Sequence, residues 1–294
     1  MHLQDQQRRD RRYLVLACGI SSAILLLEVA GGLWTGSLAL LADAGHMLTD
    51  IVALLMAFFA LLFASRPASG RRTWGYHRLE ILSALLNGLF LLALAGVIFW
   101  EGVQRLQHPS PVRIQGMIAV AMIGLFANLA GVWFLSRASR SLNMRSAMWH
   151  LVGDTVSSVG VIFSGVLMAL TGIMQLDAVM SLGISLVIVY GAVRIVREAT
   201  DILLESVPLD LDRDEVARAI RSVDGVSDVH DLHLWSITTG MPALSGHVIV
   251  PRARMLGTDT VLDRIKRVLR DRFKIDHTTI QVESDDFQEI GEVH

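Results

Sequence analysis

Six stretches of the chain, roughly 13–34, 38–64, 79–101, 114–136, 146–171 and 177–199, stay apolar over the ~20 residues that a membrane helix needs. Pro67, Pro109, Pro111 and Pro208 fall in the connectors, and Pro242 and Pro251 in the polar tail, so none interrupts a span. After about residue 208 the pattern changes. DRDEVARAIRSV has a capping aspartate, Asp212, ahead of apolar residues at helical spacing. VSDVHDLHLWSI and ALSGHVIVP alternate like strands around the turn TTGMP. TDTVLDRIKRVLRDRF is a second amphipathic helix and HTTIQVES a third strand. The order αββαβ predicts a small α+β domain of ferredoxin-like type. The chain therefore reads as an α-helical polytopic membrane protein of six transmembrane helices with a C-terminal α+β ferredoxin-like domain. The boundaries are an N-terminal segment 1–12, a membrane domain 13–207 and a C-terminal domain 208–294.

Composition supports the membrane reading. Of 294 residues 52% are hydrophobic and 18% charged, and the mean hydropathy of +0.49 is too apolar for an ordinary soluble domain. The net charge of −2 says little as a sum, although most acidic residues lie after position 200. No nucleic-acid partner is expected. The single cysteine, Cys18, excludes an intrachain disulfide and a thiolate metal cluster. Only Tyr13 to Ala17 separate Arg12 from Cys18, too short for a secretory h-region of about 7–15 residues, so the first helix is expected to stay uncleaved. Arg8, Arg9, Arg11, Arg12, Arg66, Arg71, Arg72, Arg78, Arg137, Arg140, Arg145, Arg194 and Arg197 flank one side of the six-span arrangement. Only Arg105 and Arg113 flank the other. The positive-inside rule then puts both termini in the cytoplasm.

The spacing of two His–Asp pairs carries the chemistry. His46 and Asp50 stand four apart in LLADAGHMLTDIVALL, and His150 and Asp154 repeat that spacing in SAMWHLVGDTVSSVGVI. Positions i and i+4 share a helix face, so each span offers an imidazole beside a carboxylate. Two such helices face to face give two nitrogens and two oxygens, a tetrahedral set for Zn²⁺. The two aspartates also cancel the ion's charge where water is scarce. A pair of hydrogen bonds tying helices together would explain one motif, but not its repetition. Four protein ligands leave no open position for a catalytic water, which speaks for binding an ion rather than hydrolysis. Neither HExxH nor a Walker A sequence occurs, so no enzyme activity and no nucleotide are expected.

Weaker signals accompany these. Glu28, Asp43, Asn87 and Asn128 could line a path or bond neighbouring helices. Asp177 opens the sixth helix, where a carboxylate favours the N-terminal dipole. Gly31, Gly32, Ser157, Ser158 and Gly160 suit close helix packing. His230, His233, His247 and His277, with Glu283, lie on or beside the predicted strands. They could converge on zinc or be polar surface, and the residues alone leave both readings open. His230 and His233, three apart, point to opposite faces of a regular strand and share an ion only across a bulge. His2, His77, His108 and His294 are isolated.

Taken together, GGLWTGSLALLADAGHMLTD, LNMRSAMWHLVGDTVSSVG, VHDLHLW and HTTIQVE resemble the cation diffusion facilitator family, in particular its bacterial zinc-exporting branch linked to cobalt–zinc–cadmium resistance. The similarity runs from about residue 12 to 284. It implies a homodimer of six-helix protomers in the bacterial inner (plasma) membrane, each with a cytoplasmic metallochaperone-like domain. It also implies exchange of Zn²⁺ for H⁺ by alternating access, with Cd²⁺ and Co²⁺ as competing ions and Zn²⁺ also a regulatory ligand. The family's transport site falls on His46, Asp50, His150 and Asp154. Its cytoplasmic site matches His230, His247 and Glu283, with His277 a further ligand or a bridge between protomers. Some relatives have Asp in place of His46, and the histidine form goes with preference for zinc over cadmium. The connector RPASGRRTWGYHR has no acidic residue beside His77, so the extra loop site of some relatives is not expected. The histidine-rich tract of many relatives is also missing. A membrane-embedded zinc sensor that moves nothing, and a metal-dependent intramembrane hydrolase, are the rival readings.

Overall fold

A computed structural model describes residues 2–48, 51–52, 70–136 and 142–287 of the chain. It divides into two compact units, Met1–Leu55 with Leu86–Arg194, and Met56–Leu85 with Ile195–His294.

The first unit is helical. α1 covers His2–Thr35, α2 Leu38–Leu48, α3 Arg78–Gln107, α4 Ile114–Leu135, α5 Leu142–Thr171 and α6 Gln175–Leu203. Helices α3 and α6 each continue into the second unit. Among the described residues four helices are long and apolar enough to cross a membrane: Arg78–Gln107, Ile114–Phe134, Leu151–Thr171 and Gln175–Leu203. Gly19–Thr35 and Leu38–Leu48 are shorter apolar helices, and of the rest of the expected second span only residues 51–52 are described. Large apolar side chains such as Leu26, Val97, Trp100, Leu170 and Tyr190 face outward, which only a hydrocarbon solvent rewards over six helices.

Small residues set the spacing. A Cβ on Gly31 would come within 2.7 Å of Val120, one on Gly160 within 2.4 Å of Met180, and one on Gly165 within 2.6 Å of Ile118. Helices α1 with α4, α5 with α6 and α5 with α4 therefore touch backbone against side chain, the close approach by which membrane helices associate. Ala39, Leu40, Met117, Val120, Val161 and Met168 fill the space between them. α1 ends at Gly36, whose φ of +74° is left-handed and whose N–H bonds back to Gly32, so the chain turns at once into α2.

In the second unit, α7 spans Arg213–Arg221 and α8 Thr258–Phe273. The Asp212 carboxylate caps α7 by accepting from the N–H groups of Asp214 and Glu215. Val216 and Ile220 on α7, and Val261, Ile265 and Leu269 on α8, recur at helical spacing and bury one face of each helix. These cover a three-stranded sheet of order β1-β2-β3, formed by Asp228–Thr238, Met241–Val250 and His277–Ser284. β1 and β2 form an antiparallel hairpin, and β3 returns parallel to β2. A short 3₁₀ helix, Arg252–Gly257, leads from β2 to α8. The αββαβ order expected from the sequence is therefore present.

The start of α3 belongs to this same unit. Thr238, at the end of β1, donates to Glu80 at 2.9 Å. His277, at the start of β3, sets its ring edge-on to Trp74 with centroids 5.3 Å apart. Arg78 bridges to Glu205 just beyond α6 at 2.7 Å.

Candidate metal centres

The two His–Asp motifs lie on α2 and α5. Arg113 N donates to Thr35 O, so α4 begins at the end where α2 begins. α5 follows α4 and runs antiparallel to α2. Ser157 on α5 donates to Asp43 on α2 at 2.6 Å. From that bond His46 lies three residues along α2, and Asp154 three residues back along α5. Because the helices run in opposite directions, both steps lead the same way by about 4.5 Å. His46 and Asp154 therefore come to the same level on facing helices. Asp43 is within electrostatic reach of both. The Asp154 side chain is buried, at 2% exposure. Asp50 and the side chain of His150 lie outside the described residues.

A polar lining adjoins this pair. Glu28 on α1, Asn128 on α4 and Ser158 on α5 are each 1% exposed. A Cβ on Gly124 would stand 3.0 Å from Glu28 Oε1 and 3.7 Å from Ser158 Oγ, so the two oxygens converge over that glycine. Glu28 Oε2, both amide atoms of Asn128 and Ser158 Oγ form no hydrogen bond within the described protein. The Asp43 carboxylate accepts a hydrogen bond from Ser157, a contact between helices that adds to the close packing expected there.

Sequence reasoning placed Asp177 in the first turn of α6, and there it is. Its carboxylate, however, is spent on another helix. It accepts from Ser37 Oγ at 2.6 Å, Leu38 N at 2.7 Å and Ala39 N at 3.3 Å. A local helix-start reading has no signal for a cap supplied from far along the chain.

The second centre is on the sheet. β1 shifts register between His230 and His233, and Asp231 there takes a φ of +47°. The extra residue is a bulge, so Val229 and Leu232 both enter the core while His230 and His233 share the opposite face. The expected condition for the two histidines to face one way is thus met. His233 nevertheless turns to Asp231, at 2.9 Å, and stays exposed.

His230 pairs directly across the hairpin with His247, and Glu283 sits two residues beyond Gln281, the β3 partner of His247. His247 Nδ1 is 2.9 Å and His230 Nε2 3.4 Å from the Glu283 carboxylate. Each residue offers a ligand atom within 4.8 Å of the others. Zinc bonds of about 2.0–2.2 Å hold tetrahedral ligands roughly 3.3 Å apart, so this donor set fits the ion with little movement. Gln281 donates to Glu283 at 2.7 Å and fixes its orientation. Asp231 approaches His247 Nε2 at 3.8 Å. His277 is not part of this group; its ring lies against Trp74.

Comparison with known proteins agrees with the two-part design. Residues 14–204 match the family described as the cation efflux transmembrane domain, and residues 208–285 match the cation efflux protein, cytoplasmic domain. The chain belongs to the cation efflux family.

Among its relatives is the zinc transporter ZitB of Escherichia coli, 39% identical over 278 residues, which are 93% of this chain and 88% of that protein. The metal cation efflux system protein CzcD of Cupriavidus metallidurans is 39% identical over 283 residues, covering 96% and 89%. A cadmium, cobalt and zinc/H(+)-K(+) antiporter of Bacillus subtilis is 32% identical over 280 residues, covering 94% and 90%. The solved metal-bound C-terminal domain of the Cupriavidus CzcD transporter is 40% identical. It covers 25% of this chain and 99% of its own length, with a TM-score of 0.23. This cation efflux protein thus has relatives aligned along nearly its whole length, with family matches over both of its parts.

Proposed function

We propose that this cation efflux protein is a proton-coupled zinc exporter whose transported ion is held by His46, Asp50, His150 and Asp154. The observation that carries the reading is the Ser157–Asp43 bond, which levels His46 with the buried Asp154 on facing helices. The relatives' names support the substrate class: zinc in one, and cadmium, cobalt and zinc against H⁺ and K⁺ in another. Metal and protons compete for the same lone pairs, so loading releases protons and acidification expels the ion. Exchange then needs no nucleotide. Glu28, Asn128 and Ser158 would give the ion polar contacts as it nears the site.

Two copies of the chain would pair through their C-terminal domains, a reading supported by the family match of residues 208–285. The arginine distribution supports cytoplasmic termini in a bacterial inner membrane. His230, His247 and Glu283 would then sense cytoplasmic zinc as a regulatory site.

The test is zinc uptake into proteoliposomes under an imposed pH gradient, native protein against Asp154→Ala. Uptake that follows the gradient and vanishes in the variant is expected. Inserted native protein that binds zinc yet moves none would replace the exporter by the sensor.

A further inference from the structure

The start of α2 is capped from another helix. An α-helix leaves its first N–H groups without intrahelical partners. In a capping box the acid three residues after the cap reaches back to close that set. Ser37 occupies the cap and its Oγ accepts from Leu40 N at 3.2 Å, but the third position is Leu40 itself, which has no acid to offer. The carboxylate comes from α6: Asp177 takes Ser37 Oγ, Leu38 N and Ala39 N. Ser37 and Asp177 are 0% and 1% exposed. Arg105 of α3 completes the corner, 3.8 Å from Asp177 Oδ2 and donating to Gly36 O at 2.6 Å. The buried anion therefore has a cation beside it, and both hold the same turn.

This corner is the fixed end of a short lever. From Leu38 to His46 the helix rises about 12 Å, and a slip of one residue would turn His46 by roughly 100°. α6 also grips α5: Ser164 Oγ donates to Leu176 O at 3.1 Å, and Met180 packs over Gly160. Helix α6 thus touches both helices that carry the His–Asp motifs, α2 through Asp177 and α5 through Leu176 and Met180.

We propose that Asp177 is a positioning residue for the transported ion. It fixes the depth and rotation of α2 so that His46 meets the ligands on α5. This rests on the reading of the membrane quartet given above.

The experiment uses the full chain in proteoliposomes, carrying Glu283→Gln to silence the sheet site. It measures the zinc dissociation constant and the KM for uptake, with a melting curve for each variant. Asp177→Ala should weaken zinc binding about 30-fold or more and raise KM in step. Asp177→Asn should weaken it less, about tenfold, because the amide oxygen still accepts from Ser37. Ser37→Ala should give a smaller loss of the same sign. A folded Asp177→Ala protein with native dissociation constant and KM, whatever its melting temperature, overturns the proposal. If Asp177→Ala does not fold, native values in both Asp177→Asn and Ser37→Ala do so. Asp154→Ala separates the two readings. If it leaves zinc binding unchanged, the quartet falls and the proposal with it. If it abolishes binding while the Asp177 variants bind normally, only the proposal falls.

Discussion

Ser157 and Asp43 join α5 to α2 by a 2.6 Å hydrogen bond one helical turn from Asp154 and one turn from His46. Removing the hydroxyl leaves a buried carboxyl without its donor, at a cost of about 1–3 kcal/mol, or roughly tenfold in affinity at the middle of that range. Ser157→Ala should raise the KM for zinc uptake about tenfold, and Ser157→Thr, which keeps the hydroxyl, should recover most of it. An unchanged KM in Ser157→Ala would separate this bond from the ion's site.

The sheet site predicts a sharp contrast between histidines. Structural zinc sites bind with about 10–16 kcal/mol shared over three or four ligands, so losing one costs roughly 70-fold or more. Zinc titration of the full chain should show His247→Ala and Glu283→Gln each losing a site. His277→Ala, whose ring rests on Trp74, should keep zinc affinity within about twofold. A comparable loss in His277→Ala would bring that residue into the coordination sphere.

Two left-handed glycines separate conformational strain from crowding. Gly36 and Gly172 have φ of +74° and +72°, so alanine at either costs about 1–2 kcal/mol. Only at Gly36 does the added Cβ meet a neighbour, Pro111 O at 3.1 Å. Thermal melts should rank Gly36→Ala below Gly172→Ala, with Gly172→Ala itself below the native protein. Equal melting temperatures for the two variants would remove the crowding argument.

Acid should loosen the C-terminal domain. The hydrogen bond from Arg221, helped by Val229 N–H, holds the Asp228 carboxyl below its ordinary value. Ser284, and less strongly Arg252, does the same for Asp286. A carboxylate whose folded value is depressed stabilises the fold above its unfolded value of about 3.9, and that contribution is lost as pH falls through the folded value. Amide protection relative to the intrinsic exchange rate at each pH, in the segment matched as the cytoplasmic domain, residues 208–285, should therefore fall below about pH 4. Arg221→Ala should show a smaller change between pH 5 and pH 3, and the same change in variant and native protein would discount the pairing.

The sequence made most of the architecture legible because hydrophobic period is a local property. Lengths near 20 apolar residues, alternation in VHDLHLW and the cap at Asp212 each need only a few neighbours to be read. The His–Asp spacing was visible for the same reason. What escaped were relations across the chain. Asp177 looked like a helix-start acid and caps α2 from 140 positions away. Ser157 looked like a packing residue and also donates to Asp43 on another helix. The bulge at Asp231, which turns His230 and His233 to one face, is set by how β1 registers on β2, and no pattern within β1 alone specifies it. Glu80, read as part of an apolar span, bonds to the tip of β1.

Strands β1 and β3 each carry a candidate ligand at one position and reach the start of α3 or the turn before it at another, through Thr238 with Glu80 and His277 with Trp74. A metal that draws His230 and Glu283 together acts on the same two strands that those contacts restrain. Thermodynamics then allows no one-way traffic. Whatever work a captured ion does on the entrance of the third helix, a shift of that helix returns in equal measure as a change in the grip on the ion.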